Sequence, residues 1–217
     1  MTSKKIYITT ENITIKKMFL EQNWQCVDKP ENAHMIQFTG GQDINPALYA
    51  ETKHATTNFN TARDNSEMEI WDKALKTGKA MTGICRGGQL IHVLAGGFLI
   101  QHANNHNTHP HEAFYQRLEV KKKIVVSSTH HQMMADPNCG QIIMQTPHLS
   151  TIKEGHRNNK IHSYKNKTTD IEAMLYPDLN ALSFQPHPEY AILDTLFNDC
   201  YAAYFFFLNK PLRRLPA

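Results

Sequence analysis

Residues Lys79 to Ala95 leave the backbone few choices. The apolar-leaning run Lys79–Ile84 breaks at Gly83, presents Cys85, and passes through Gly87-Gly88 into Leu90-Ile91-His92-Val93-Leu94-Ala95. A strand that turns sharply into a helix satisfies this pattern and sets Cys85 at the helix N-terminus. There, unpaired N–H groups and the helix dipole favour a thiolate, the nucleophilic form of cysteine. Far along the chain, His187-Pro188-Glu189 offers an imidazole and a carboxylate to orient it. A cysteine on an elbow with a distant histidine and acid is the equipment of acyl transfer.

The remaining sequence narrows the setting. A chain of 217 residues suits one α/β domain spanning residues 1–217. Hydrophobic residues at 41% and charged residues at 20% describe an ordinary globular protein. The formal charge of +3 is small, and Lys121-Lys122-Lys123 lies in an alternating strand pattern, so a solvated face is expected and no nucleic-acid partner. No apolar run approaches the roughly 20 residues that span a bilayer, so no membrane association is expected. The first residues read as a lysine-flanked strand with no secretory segment. Cys26, Cys85, Cys139 and Cys200 are far apart with no CxxC pair, which suits a reducing cytoplasm. All but Cys85 are expected to be inert.

Strand and helix alternate early. Lys5–Thr10, Trp24–Val27 and Met35–Phe38 read as strands, with a helix between the first two carrying Ile15, Met18, Phe19 and Gln22 and capped by Asn12. Asp64-Asn65-Ser66-Glu67 has the form of a capping box, opening a helix with Met68, Trp71 and Leu75 on one face that stops near Gly78. The second half is strand-rich: Leu118 to Val126, Gln141–Gln145, Ser150–Lys153, Ile171–Tyr176 and Asn180–Phe184. A last helix is expected over Ile192–Leu208. The Asn- and Lys-rich stretch Gly155–Thr169 reads as a long loop, a surface insertion in preference to a lid. This order predicts an α/β three-layer sandwich, its central sheet mostly parallel and flavodoxin-like, with antiparallel additions. Gly40-Gly41, Cys85 and His187 would then meet at the carboxyl edge of the parallel strands.

At this point the motifs resemble a known family. Gly83-Ile84-Cys85-Arg86-Gly87-x-Gln89 is similar to the nucleophile elbow of the class I glutamine amidotransferase-like superfamily, and Arg86 points to its γ-glutamyl-γ-aminobutyrate hydrolase-like group. Thr39-Gly40-Gly41-Gln42-Asp43-Ile44-Asn45-Pro46-Ala47-Leu48-Tyr49, Arg63-Asp64 with Glu67, and Ser128-Thr129-His130-His131-Gln132 resemble further segments of that group. So do Asp170-Ile171-Glu172-Ala173 and Gln185-Pro186-His187-Pro188-Glu189. Pro186, Gly88 and Thr39 depart from the residues usual there.

The expected chemistry is hydrolysis of a γ-glutamyl amide. Cys85 is the candidate nucleophile, His187 its base and then the acid for the leaving amine, and Glu189 the group that orients His187. The resemblance implies an oxyanion hole from the backbone N–H groups of Gly41 and Arg86. It also implies that Ser128, Thr129 and His130 bind the glutamyl moiety, with Gln89 facing the amide. No metal or organic cofactor is needed. Two alternatives share the motifs: a glutaminase subunit that passes ammonia to a synthetase partner, and a catalytically silent binding protein, with Pro186 turning His187 out of line.

Among thirteen histidines, His102, His106, His109 and His111 are the densest group. Their first two members have the i, i+4 spacing of a zinc-binding helical face. The intervening asparagines and Pro110 argue for loop, so a satisfied or solvent-facing cluster is expected there and no metal site.

Overall fold

The computed structural model describes residues 3–135, 137–147, 149–158, 160–164, 169–210 and 212. In chain order, β1 (Lys5–Ile8), α1 (Ile13–Glu21), β2 (Gln25–Cys26), β3 (Met35–Phe38), α2 (Thr61–Lys76), β4 (Ala80–Ile84) and α3 (Arg86–Leu94) build the first half. Then come β5 (Phe98–Ile100), β6 (His102–Ala103), β7 (His111–Arg117), β8 (Val120–Val126), β9 (Met133–Ala135) and β10 (Gln141–Thr146). The chain closes with β11 (Lys153–Arg157), β12 (Lys160–Ser163), β13 (Asp170–Tyr176), β14 (Ala181–Phe184) and α4 (Asn198–Leu208).

Nine strands form one sheet in the order β2-β1-β3-β4-β14-β13-β10-β7-β8. From β2 to β14 every pairing is parallel, and from β14 to β8 every pairing is antiparallel. The expected α/β sandwich with a parallel centre and antiparallel additions is what forms. Ile15, Met18 and Phe19 of α1 and Tyr204, Phe205 and Phe207 of α4 pack on one face of the sheet. Trp71 and Ala74 of α2 and Leu90 and Ile91 of α3 pack on the other. Because both faces are covered, β3 and β14 are buried at every residue and read as unbroken runs without alternation.

Local chemistry explains most boundaries. Asn12 Oδ1 accepts from the Ile15 N–H at 2.9 Å and starts α1 as expected. Helix α2 begins earlier than the apparent capping box: Asn60 is its N-cap, with Oδ1 accepting from the Arg63 N–H at 3.1 Å. Asp64 and Glu67 therefore lie inside the helix. Its buried face is Asp64, Glu67, Trp71 and Ala74, while Leu75 is exposed. Two carboxylates point inward because a buried cation waits for them, and apolar periodicity cannot announce that.

Other expectations need correction. The tail is not one helix from Ile192: short 3-10 turns cover Pro188–Ile192 and Thr195–Phe197 before α4 begins. Asp194 Oδ1 caps the Leu196 N–H at 2.9 Å and restarts the winding. His111–Arg117, for which the sequence pattern predicts no element, is strand β7; it pairs with β8 across a two-residue turn in which Leu118 takes φ 55°. Lys122 and Lys123 sit on that hairpin in exposed ion pairs with Asp199 and Glu112, each at 2.7 Å. The strand expected at Ser150 starts only at Lys153, and much of the Gly155–Thr169 stretch is the β11–β12 hairpin rather than loop. Residues 159 and 165–168 of that stretch lie outside the described residues. Tyr164 Oη donates to buried Glu51 at 2.7 Å, and the Thr52 N–H to the His156 carbonyl at 2.8 Å, so the hairpin is fastened to the 51–57 segment. Among the described residues no helix is long and apolar enough to cross a membrane.

Helix α3 sits tight against the sheet. A Cβ on Gly87 would fall 2.3 Å from the Phe38 carbonyl oxygen, a backbone atom that cannot turn away. Gly87→Ala should therefore cost about 1–3 kcal/mol, the usual range for overpacking. Urea denaturation should show it as a lowered midpoint at unchanged slope; an unaltered midpoint would mean that α3 stands off from β3.

Candidate active site

The chain from β4 into α3 makes a strained corner. Cys85 takes φ 51°, ψ −116°, a conformation that costs a non-glycine residue about 1–3 kcal/mol. Its N–H donates to the Phe184 carbonyl at 2.8 Å, and its carbonyl accepts the Gln89 N–H at 2.9 Å to open the helix. These bonds on either side hold the corner and leave the side chain facing the cleft.

His187 follows β14, parallel to β4, and comes back to the same edge. It lies beside Cys85, and His187 Nδ1 and Glu189 Oε1 are 2.7 Å apart. A Cβ built on Gly40 would meet both, 3.1 Å from His187 Cε1 and 3.6 Å from Cys85 Cβ. The three chain-distant motifs thus converge. Pro186 does not turn the imidazole away. Burial would lower the His187 pKa, but the hydrogen bonds and charges of Cys85 and Glu189 override it and hold it well above the ordinary 6.5.

Two contacts that sequence reasoning missed fix this histidine. The His187 N–H donates to Ser127 Oγ at 2.7 Å, and the Tyr190 ring stacks on the imidazole with centroids 4.7 Å apart and planes 10° from parallel. An aromatic residue just past His-Pro-Glu was the available signal for Tyr190. Ser127 gave none.

Arg86, the residue after the cysteine, turns its side chain inward. It is 1% exposed, pairs with Glu67 through Nη1, and places Nη2 2.5 Å from Asp64 Oδ1. Arg63 shares Glu67 (Nε to Oε1, 3.2 Å) and donates through Nη2 to the carbonyls of Thr39 and Gly40, both at 3.1 Å. The Asn45 N–H donates to Asp64 Oδ2 at 3.1 Å. Gly41, at φ 147°, has no room for a side chain: a Cβ would lie 2.2 Å from Arg63 Nη1. Only glycine suits both its backbone and its neighbour.

Above Cys85 lies a cleft of about 240 Å³, walled by Gly41, Gln42, Asp43, Thr56, Asn58, Cys85, Gln89 and Thr129–Gln132. Of the residues expected to bind substrate, Thr129 and His130 line it, whereas Ser128 is buried outside that wall with an unpartnered Oγ. Gln89 lines it too, but its amide nitrogen is committed to the Gln132 carbonyl at 3.0 Å and Gln185 Oε1 at 3.1 Å. His130 is pushed down to about 3, first by burial and then by His106, so it is neutral in the wall. Asp43 and His131 form an ion pair at 3.2 Å on the rim. Thr56 and Asn58 come from an irregular segment with no sequence signature.

The histidine group divides. His106 is buried and His111 mostly so beside Glu172, and they lie on a loop and a strand rather than on one helix. His102 instead stacks on His54 with centroids 5.6 Å apart, and His109 is exposed.

The family match and the fold together place the chain in a class of protein, the class I glutamine amidotransferase-like superfamily. A glutamine amidotransferase of Thermotoga maritima aligns over 97% of this chain and 88% of its own with a TM-score of 0.62 at 13% identity. A Thermoplasma acidophilum protein described as a GMP synthase subunit matches over 97% and 100% with a TM-score of 0.60 at 14% identity. At such identities the likeness concerns the fold. The family model "Peptidase C26" matches residues 21–189, and the chain belongs to that family. A curated relative, the glutamine amidotransferase-like YvdE homolog of Lactococcus lactis subsp. cremoris, is 32% identical over an alignment of 135 positions that covers 51% of this chain and 72% of its own. Membership supports an amide-hydrolase or glutaminase-type activity.

Two expectations follow from these contacts. Glu67→Ala, which strips the buried Arg86 of one partner, should cost about 3–5 kcal/mol of stability and show as a large fall in the denaturation midpoint. In Glu189→Gln the carboxylate that raises the His187 pKa is gone, so its imidazole titration, followed by NMR, should move to lower pH; a midpoint that stays or rises contradicts the assigned contact.

Proposed function

We propose that the chain is a cysteine hydrolase of γ-glutamyl amides, acting as a single domain over residues 1–217 in the cytoplasm. What supports this reading is the nearness of Cys85, His187 and Glu189: a Cβ on Gly40 would lie 3.6 Å from Cys85 Cβ and 3.1 Å from His187 Cε1, His187 Nδ1 is 2.7 Å from Glu189 Oε1, and Gly41, Cys85 and Gln89 line one cleft. His187 takes the thiol proton, and the Cys85 sulfur attacks the amide carbon. The carbonyl oxygen becomes an oxyanion received by the N–H groups of Gly41 and Arg86, each such donor being worth about 10²–10³ in rate. Collapse breaks the C–N bond as His187 returns the proton to the leaving amine, giving a γ-glutamyl thioester. Water, deprotonated by His187, then releases glutamate and restores the thiol. Glu189 fixes the imidazole's tautomer and stabilises its charged form.

In this reading the glutamyl end is bound beside Thr129 and His130. Ser128 stands behind the wall, and Gln89, part of the lining itself, holds the 128–132 segment through the Gln132 carbonyl. The amine half extends toward Asp43, Thr56 and Asn58. No metal or organic cofactor takes part in these steps.

A second reading keeps the same chemistry in a glutaminase subunit that hands ammonia to a synthetase. The fold shared with the GMP synthase subunit of Thermoplasma acidophilum favours it. Turnover by the purified chain separates the two. The hydrolase reading expects release of glutamate from γ-glutamyl-amines faster than from glutamine. Weak glutamine turnover that rises only with a partner would favour the ammonia-donating role. Cys85→Ala should lower turnover by at least about 10³-fold with its circular dichroism unchanged. A γ-glutamyl chloroketone should label Cys85; no labelling and no turnover would leave a silent binding protein.

A further inference from the structure

Behind His130, on the antiparallel half of the sheet, ionisable groups gather that the proposed reaction does not use. His106 sits on the loop after β6, His111 opens β7, and Glu172 lies on β13. His106 and Glu172 are fully buried, and His111 is nearly so with 8% of its side chain exposed. His111 Nε2 is 2.8 Å from Glu172 Oε1, and His106 Nδ1 is 3.8 Å from the same oxygen. One donor atom from each of the three residues falls within 4.8 Å of the other two.

The surroundings orient these donors. His106 Nε2 lies 3.1 Å from Asp170 Oδ2, which also accepts the Ser150 N–H at 2.7 Å, while Lys153 Nζ pairs with Asp170 Oδ1 at 2.5 Å. An imidazole that donates Nε2–H to a carboxylate carries its lone pair on Nδ1. That atom is buried, has no hydrogen-bond partner, and faces the Glu172 carboxylate. Two electron-rich atoms turned toward each other in a buried space call for a cation between them. Glu172 Oε2 and His111 Nδ1 are also without hydrogen-bond partners. Lys153 already neutralises Asp170, and the ion-pair partners of Glu172 are the two imidazoles. A carboxylate that fixes a histidine so that its other nitrogen can ligate is the usual support of a bound metal.

We propose that His106, His111 and Glu172 hold one divalent transition-metal ion, with Asp170 orienting His106. Two imidazoles and one carboxylate suit Zn²⁺, with water completing the four positions. The ion joins the 104–106 loop, β7 and β13. It also stiffens the cleft wall, because the His106 ring lies 4.7 Å from that of His130. Its role is structural, and the proposal does not rest on the reaction assigned to Cys85.

The test uses the full chain carrying Cys85→Ser, so that the elbow thiol cannot compete for metal. After chelation and dialysis, uptake of Zn²⁺ and Co²⁺ is measured by elemental analysis, optical absorption and thermal melting. The expected result is one ion per chain, a rise in Tm, and Co²⁺ d–d bands without thiolate charge transfer. His111→Gln should weaken uptake by at least about 100-fold. Glu172→Gln should do likewise and serves if the first variant fails to fold. If neither folds, X-ray absorption on the zinc-loaded parent decides: a nitrogen and oxygen shell with two imidazoles supports the site, and any other shell overturns it. No uptake at micromolar free metal, or uptake unaffected by these substitutions, overturns it too.

Discussion

Everything at the cleft rests on the guanidinium of Arg86 held between Asp64 and Glu67. The residue after the cysteine has two tasks that point in opposite directions. Its backbone N–H belongs to the first turn of α3, and its side chain must go somewhere that does not disturb that turn. Directed into the interior, it finds two carboxylates on the face of α2 that periodicity would have filled with apolar residues. An arginine buried alone would cost several kcal/mol, so the pairing is a requirement of the elbow and no optional ornament. Arg63 passes the constraint on by sharing Glu67 and holding the Thr39 and Gly40 carbonyls. Elbow, helix α2 and glycine loop are thereby positioned as one electrostatic unit.

This unit explains how the corner at Cys85 sustains its backbone strain. A left-handed non-glycine conformation survives where surrounding contacts over-determine it. Here the Cys85 N–H is tied to β14, its carbonyl to α3, and the next side chain is anchored beneath the sheet edge. His187 is held with similar redundancy by Ser127 below, Glu189 at one nitrogen and Tyr190 across its face. Such preorganisation matters because small misplacements at a reacting pair cost large factors in rate.

What could be read from the sequence was local and contiguous. The glycine-bracketed cysteine, the Gly40-Gly41 turn and His187-Pro188-Glu189 each declare themselves within a few residues, and the parallel strands show as apolar runs. Relationships between distant segments did not show. Asp64 and Glu67 resembled a helix start because inward carboxylates look like a cap when their cation lies far along the chain. β7 escaped because its inward residues Ala113, Tyr115 and Arg117 are not an apolar series. The β11–β12 hairpin escaped because polar side chains cover it and Glu51, far upstream, satisfies it. The partner that gathers His106 and His111 is Glu172, a strand residue about sixty positions further along the chain.

The division of the sheet also bears on how the cleft can vary. Its floor is made by the parallel half, where Cys85 and His187 stand at the ends of neighbouring strands and helices cover both faces. Its outer wall comes from irregular segments, 42–58 and 129–132, tied to β5, β6 and the β11–β12 hairpin. Thr57 Oγ1 bonds Gln101 and receives Gln132 Nε2 at 3.0 Å, while Gln101 Nε2 donates to Glu51. A change in the hairpin therefore reaches Thr56 and Asn58 through Glu51 and Gln101 without touching the elbow. The 42–58 side of the cleft can be reshaped while Cys85 and His187 stay fixed, which is the arrangement that lets one floor be kept under different walls.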